Sequence, residues 1–285
     1  MIKDTKLTQD EYFLQAATRG DFITVEAMVR QKEVDVNCTD LIGTTALTRA
    51  SERGDERMTA YLLEMGANPN QKAQATGETA LINATHNNHP KIIDLLIENG
   101  AQIDEADNHG KTPLLTSVLT NNTPLAIRFV QAGADINHQN VWGQTALHLS
   151  ASKNNSQLSA FLISKGANPN ITDKNGQTPL HTAVQSKNIE AANLLIKYGA
   201  NINLQDKNGK TPLDLSVQNK DVKMFQILVL AGAQTKQTTS FIKQEINQTP
   251  LYQMLSILEN KEKFITSQKL PLAPHQLENE GLVKN

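Results

Sequence analysis

A glycine, a threonine and a leucine return in one frame every 33 residues, and that period constrains the fold more than any other property of the chain. The glycines are Gly43, Gly77, Gly110, Gly143, Gly176 and Gly209. Two residues after each comes a threonine (Thr45, Thr79, Thr112, Thr145, Thr178, Thr211), and four after it a leucine (Leu47, Leu81, Leu114, Leu147, Leu180, Leu213). A second register repeats Gly-Ala, from Gly66-Ala67 and Gly100-Ala101 through to Gly232-Ala233. One step is 34 residues long, its extra residue lying between Asn70 and Gly77. A fixed period of this size means a stack of like units, each too small to hide an apolar face alone. Such a stack offers a surface for binding and no obvious pocket for chemistry.

The stretch from Asp173 to Asn203 shows what one unit does. Asp173-Lys174-Asn175-Gly176 has the residues of a tight hairpin turn, because Asn and Gly tolerate the left-handed conformation. Thr178-Pro179 then opens a helix, with Thr near the N-cap and Pro in the first turn, where its missing N–H is no loss. Leu180, Ala183 and Val184 form its apolar stripe, and the helix stops near Lys187-Asn188. A second helix carries Ala191, Leu194, Leu195 and Ile196 and ends at Tyr198-Gly199, a glycine C-cap. The same faces recur in the other units, for example Ile92, Leu95, Leu96 and Ile97. Arg128 alone interrupts them, with its stem expected across the layer and its charge in water.

Thr178-Pro179-Leu180-His181-Thr182-Ala183 matches the T-P-L-H-x-A signature of the ankyrin repeat family in full, and Thr145-Ala146-Leu147-His148 nearly so. The chain therefore resembles that family from roughly Asp10 to Ala233. The resemblance implies an all-α repeat solenoid of stacked helix–turn–helix units, with β-hairpin loops along one edge. It further implies that His148 and His181 tie a helix start to the neighbouring unit by hydrogen bonds. The expected division is an N-terminal capping repeat over 1–37, six repeats over 38–237, a divergent C-terminal capping repeat over 238–269 and a flexible tail over 270–285. The divergent unit rests on Thr249-Pro250-Leu251, which repeats the helix start 38 residues after Thr211.

Composition narrows the function. The net charge is −2, which gives no electrostatic reason to expect nucleic acid or an anionic membrane. Neither a signal-peptide core nor a run long enough to span a bilayer is visible, so a soluble, cytoplasmic, monomeric protein is expected. Cys38 is the single cysteine and reads as a small hydrophobe at a joint between units. The seven histidines show no metal-ligand spacing, the glycines do not cluster into a phosphate loop, and the carboxylates are scattered. No catalytic residue, metal or cofactor is expected.

Residues that vary while the frame stays constant are the binding candidates. Family geometry puts the hairpin tips and the exposed end of each first helix on the concave face. The candidates there are Leu41, Ile42, Arg49, Glu52, Arg53 and His86 in the earlier units, and His109, Leu119, Val141, Trp142 and Lys153 in the later ones. Val141-Trp142 and Leu41-Ile42 stand out, because an apolar tip has no folding duty at a solvated turn and Trp is enriched in binding hot spots. The competing reading of Trp142 is packing on an adjacent finger. Arg49 and Arg53 lie one helical turn apart and suit an acidic partner, against a solvated ion-pair cluster with Glu52 and Glu56. The Lys-, Gln- and Asn-rich tips of the later units (Lys174, Lys207, Lys210) read as ordinary solvated surface, which places the functional face in the first half of the stack.

The expected function is a non-enzymatic scaffold or adaptor that binds a partner protein through its concave face and fingertips. Two alternatives share the binding surface. One is a bacterial effector acting in a host cytoplasm, since Glu278 to Asn285 faintly resembles the export tails of such proteins. The other is a regulatory subunit or inhibitor of a separate enzyme.

Overall fold

The computed structural model of the protein describes residues 7–235, and over that span it consists of seven consecutive helix pairs. They are α1 (Gln9–Arg19) and α2 (Phe22–Arg30), α3 (Ala46–Arg53) and α4 (Glu56–Glu64), α5 (Ala80–His86) and α6 (Pro90–Glu98), and α7 (Pro113–Leu119) and α8 (Thr123–Gln131). The series continues with α9 (Ala146–Ser152) and α10 (Ser156–Ser164), α11 (Pro179–Gln185) and α12 (Ile189–Lys197), and α13 (Pro212–Gln218) and α14 (Val222–Leu230). The units expected over 238–269 and 270–285 lie outside the described residues. The odd-numbered helices touch one another in an unbroken row from α1 to α13. The even-numbered ones form a looser second row. This is the helical solenoid that the period demands.

Capping chemistry cuts the helices to length. Each first helix from α3 to α13 starts at the recurring threonine, whose Oγ1 accepts the N–H three residues on. Most second helices start at Asp or Asn in the same way (Asp21, Asp55, Asn122, Asn155, Asn188, Asp221). At α6 His89 takes that place without a side-chain cap, and Pro90 follows at the first helical position. Between the rows, the recurring leucines from Leu47 to Leu213 are at most 1 % exposed. Phe13, Phe129 and Phe225 fill the same layer, completely buried. Each such side chain contributes about 1.5–3 kcal/mol on burial, gained only against a neighbouring unit.

The loops differ from the expected β-hairpins: no strand forms among the described residues. Each finger is a shorter device. In the fifth, Asp173 N–H bonds to the Gln177 carbonyl at 2.8 Å, and Asp173 Oδ1 accepts the N–H groups of Asn175 and Gln177 at 2.8 and 2.9 Å. Asp40, Asp107, Asn140 and Asp206 do the same in other fingers. One side-chain oxygen replaces a strand ladder, so two residues suffice for the tip. The second finger departs from this pattern: Ala73 supplies no such oxygen, and its N–H reaches Glu78 one residue further along at 2.9 Å. The additional residue of the 34-residue step is absorbed there.

Two lines of contact join the units besides the core. Asn37 Oδ1 accepts the N–H of Asn68, Asn137 Oδ1 that of Asn168, and Asn170 Oδ1 that of Asn201, at 2.7 to 2.9 Å. Asn70, Asp104 and Asn203 fill the equivalent rungs. Along the finger edge, a single backbone bond links each finger to the next, as from Lys174 N–H to the Trp142 carbonyl at 2.9 Å. The fingers are so close that a Cβ on Gly143 (φ +79°) would sit 2.8 Å from Lys174 N, so glycine is required there by conformation and by space.

Candidate functional site

The finger tips form a continuous file because each is fastened to its neighbour. Ala75 N–H bonds to Ile42 O at 3.1 Å, Asn108 to Thr76 at 2.9 Å, Val141 to His109 at 3.0 Å, Lys174 to Trp142 at 2.9 Å and Lys207 to Asn175 at 2.9 Å. These bonds, with those inside each finger, tie up part of the tip backbone, and the side chains define the surface. Leu41 is 99 % exposed and Ile42, Val141 and Trp142 about half as much or less. Trp142 is 51 % exposed and lies flat on His109, with ring centroids 5.7 Å apart and planes 9° from parallel. Trp142 therefore packs on the preceding finger and still shows half its surface to solvent.

The floor of the face is made by the last turn of each first helix. Glu52, His86 and Lys153 are exposed, whereas Leu119 is half-buried and packs on the core. Lys210 Nζ donates to Gln218 Oε1 at 3.2 Å, spanning from a finger to the end of α13. Finger and helix end therefore line the same side of the stack.

The arginines expected to meet an acidic partner already hold parts of the chain together. Arg49 Nη2 pairs with Asp40 Oδ2 at 3.1 Å and its Nη1 with Glu52 Oε2 at 3.3 Å, bracing the first finger against α3. Arg53 Nη1 donates to the Thr18 carbonyl at 2.9 Å, satisfying the end of α1. Arg57 lies over the Phe22 ring, 3.8 Å from its centroid. Arg53 and Arg57 fasten the second unit to the first, and Arg49 braces the second unit internally. Arg128 pairs with Asp94 on the preceding α6, and both side chains stay partly exposed to solvent.

Sequence reasoning passed over the lysines of the later fingers. Every ion pair among the described residues falls between positions 26 and 128. Residues 7–140 carry ten Lys and Arg against eighteen Asp and Glu, while residues 141–235 carry nine Lys against five Asp and Glu. Four of those five acids have structural duties: Asp173 and Asp206 inside fingers, Asp214 and Asp221 at helix caps. Counting charges along the chain would have shown the imbalance. Which acids are committed became visible only with the finger geometry.

Buried titratable groups serve the fold. His148 Nε2–H donates to the Gln177 carbonyl at 3.0 Å, and Nδ1 accepts the Thr145 N–H at 3.2 Å; His181 repeats this with Lys210 and Thr178 at 3.1 Å each. Burial holds both imidazoles below their ordinary pKa. Asp206 feels burial pushing its pKa up, but N–H donors from Lys210 and Asn208 win and hold it down. Burial, with Asp10 and Asp35 nearby, pushes the Cys38 thiol up to about 12, so it is a poor nucleophile at neutral pH. No group of His, Cys, Asp and Glu among the described residues could hold a metal ion. No helix there is long and apolar enough to cross a membrane.

Models of ankyrin repeats match the chain over residues 13–63, 66–140, 118–206 and 161–239. Among solved structures, a crystal structure of the human ASB11 ankyrin repeat domain superposes with a TM-score of 0.65 at 25% identity. It covers 77% of this chain and 96% of its own. Among curated proteins, none matches the sequence.

Proposed function

The chain belongs to the ankyrin repeat family, and on that premise we propose that it is a non-enzymatic scaffold that holds a partner protein against its finger tips and concave face. Repeats of this family are generally protein–protein interaction modules. The observation that carries the reading is the half-exposed indole of Trp142, spread over His109 at a turn whose backbone is already bonded on both sides. Trp142 N–H goes to Asn140 and its carbonyl to Lys174, so the ring is not needed to hold the finger. A specific interface buries on the order of 800 Å² per side. No single finger offers that area, so docking spans several units.

Quantitative affinity capture with the full chain and with W142A tests the proposal. A partner docked on this face loses about 2 kcal/mol or more when an anchoring indole is removed, roughly a thirtyfold weakening. Partners retained equally by W142A and by the unmodified chain would overturn the reading.

A further inference from the structure

We infer that the later half of the finger file binds an acidic, extended protein segment that carries an apolar side chain for Trp142 and carboxylates for Lys174 and Lys207. The inference rests on the protein-binding reading above and gives it a partner chemistry. His109, Trp142, Lys174 and Lys207 occupy four consecutive fingers, each fastened to the next by one backbone hydrogen bond. Lys174 and Lys207 are exposed, and neither forms an ion pair with a described residue. Lys153 is exposed and unpaired in the same way at the end of α9, below the fourth finger. This contrasts with Lys111 of the third finger, whose Nζ lies 3.2 Å from Asp107. The finger acids nearest the later lysines, Asp173 and Asp206, are buried at 9 % and 6 % exposure and form no ion pair with a described residue. The tips thus present an apolar plate followed by two uncompensated positive charges.

Spacing sets the register. Stacked helices lie about 8–10 Å apart, so neighbouring fingers are separated by about the same distance. A segment in the extended polyproline II conformation advances about 3.1 Å per residue with about three residues per turn, so every third side chain faces the same way. A segment lying along the file therefore meets successive fingers every third residue. Its pattern is an apolar residue, then an acidic residue three positions on, then another three further.

A phosphate polyanion fits this surface less well. Residues 7–140 carry the large excess of acid, and the face has a single Trp where nucleic-acid grooves interleave several aromatic rings with basic side chains. An acidic segment a few residues long meets the lysines without reaching the acidic half.

Trp142 is the chain's one tryptophan, so its emission reports on this site alone. The full chain is titrated with twelve-residue peptides containing one Leu and two Glu at third-residue spacing, in both chain directions, Leu-x-x-Glu-x-x-Glu and Glu-x-x-Glu-x-x-Leu. Parallel titrations use the same peptides with Lys for Glu, with both Glu moved next to Leu, and a single-stranded oligouridylate. The expected result is saturable binding of the spaced acidic peptide, at least tenfold tighter than its Lys counterpart. K174E/K207E should weaken it roughly tenfold or more, and raising the salt should weaken it as charge contacts are screened. Equal affinity for the Lys peptide, indifference to K174E/K207E, equal binding of the mis-spaced peptide, preference for the oligouridylate, or no binding of the acidic peptide would each overturn the inference. If captured partners still depend on Trp142 while the acidic peptides fail, the partner chemistry falls and the scaffold reading stands.

Discussion

Lowering the pH from 7.5 to 5.0 should weaken the stack at its fourth and fifth units, and replacing both buried histidines by threonine should remove most of that loss. His148 and His181 are fully buried and each uses Nδ1 as an acceptor for the threonine N–H that opens its own helix. Protonation would set a second N–H against that donor, inside a layer where neither can reach water. Burial accordingly lowers both pKa values from 6.5, whereas in the unfolded chain both rings titrate normally. Between 6.5 and the lowered folded values, the unfolded chain therefore binds more protons. Stability is complete above pH 6.5 and declines as pH falls below it. Each ring contributes a slope of about 1.4 kcal/mol per pH unit in that window, so the pair costs at most about 4 kcal/mol between pH 6.5 and 5.0. That is a large share of a typical 5–15 kcal/mol of folding stability. Threonine is the control because Thr48 occupies the equivalent place in α3, where its hydroxyl bonds Thr45 Oγ1 at 3.0 Å. H148T/H181T should be less stable at pH 7.5, through two lost inter-unit bonds of about 0.5–1.5 kcal/mol each. Its stability should then change little from pH 7.5 to 5.0. Urea unfolding followed by far-ultraviolet circular dichroism at several pH values measures both. The lowered pKa of Asp206 acts only below about 3.8 and does not intrude. If the double variant loses as much stability on acidification as the unmodified chain, the argument from the buried rings is wrong.

L162A should cost about 2–5 kcal/mol, read as a lower urea midpoint, because Leu162 is completely buried between units and its removal leaves a cavity. N170A should cost about 1–2 kcal/mol in the same assay, since Asn170 accepts the Asn201 N–H at 2.7 Å and donates to the Gly199 carbonyl at 3.3 Å. A charged thiol reagent at pH 8 should label Cys38 far more slowly in the folded chain than in urea, because burial and the nearby Asp10 and Asp35 hold the thiol protonated.

Much of the fold was legible because the structural duties repeat. The threonine that caps each first helix from α3 to α13 and the leucine between the rows each recur at one period, so their roles could be read together. The finger was less legible. Gly176 and Asn175 suggested a β-hairpin, but Asp173 Oδ1 satisfies two N–H groups by itself, and no strand pairing is needed. The tie from His181 to Lys210 crosses 29 residues, and it was anticipated only because the motif matched a known family.

The candidate site was less legible because occupancy of a side chain is a property of the neighbouring unit. Arg53 looked available in sequence, yet its partner is the Thr18 backbone carbonyl 35 residues earlier, at the end of α1. Such an acceptor has no sequence signature. Lys174 looked unremarkable because its polar neighbours read as ordinary solvated surface; its lack of an ion partner shows only once Asp173 is seen buried in its own finger. Where surrounding acids are scarce, as beyond residue 140, an exposed lysine remains available to a partner. Where Asp40 and Glu52 flank an arginine on the same face, the charge is spent on the fold. The available positive charge accordingly lies beside Trp142, at the end of the stack where its arginines are absent.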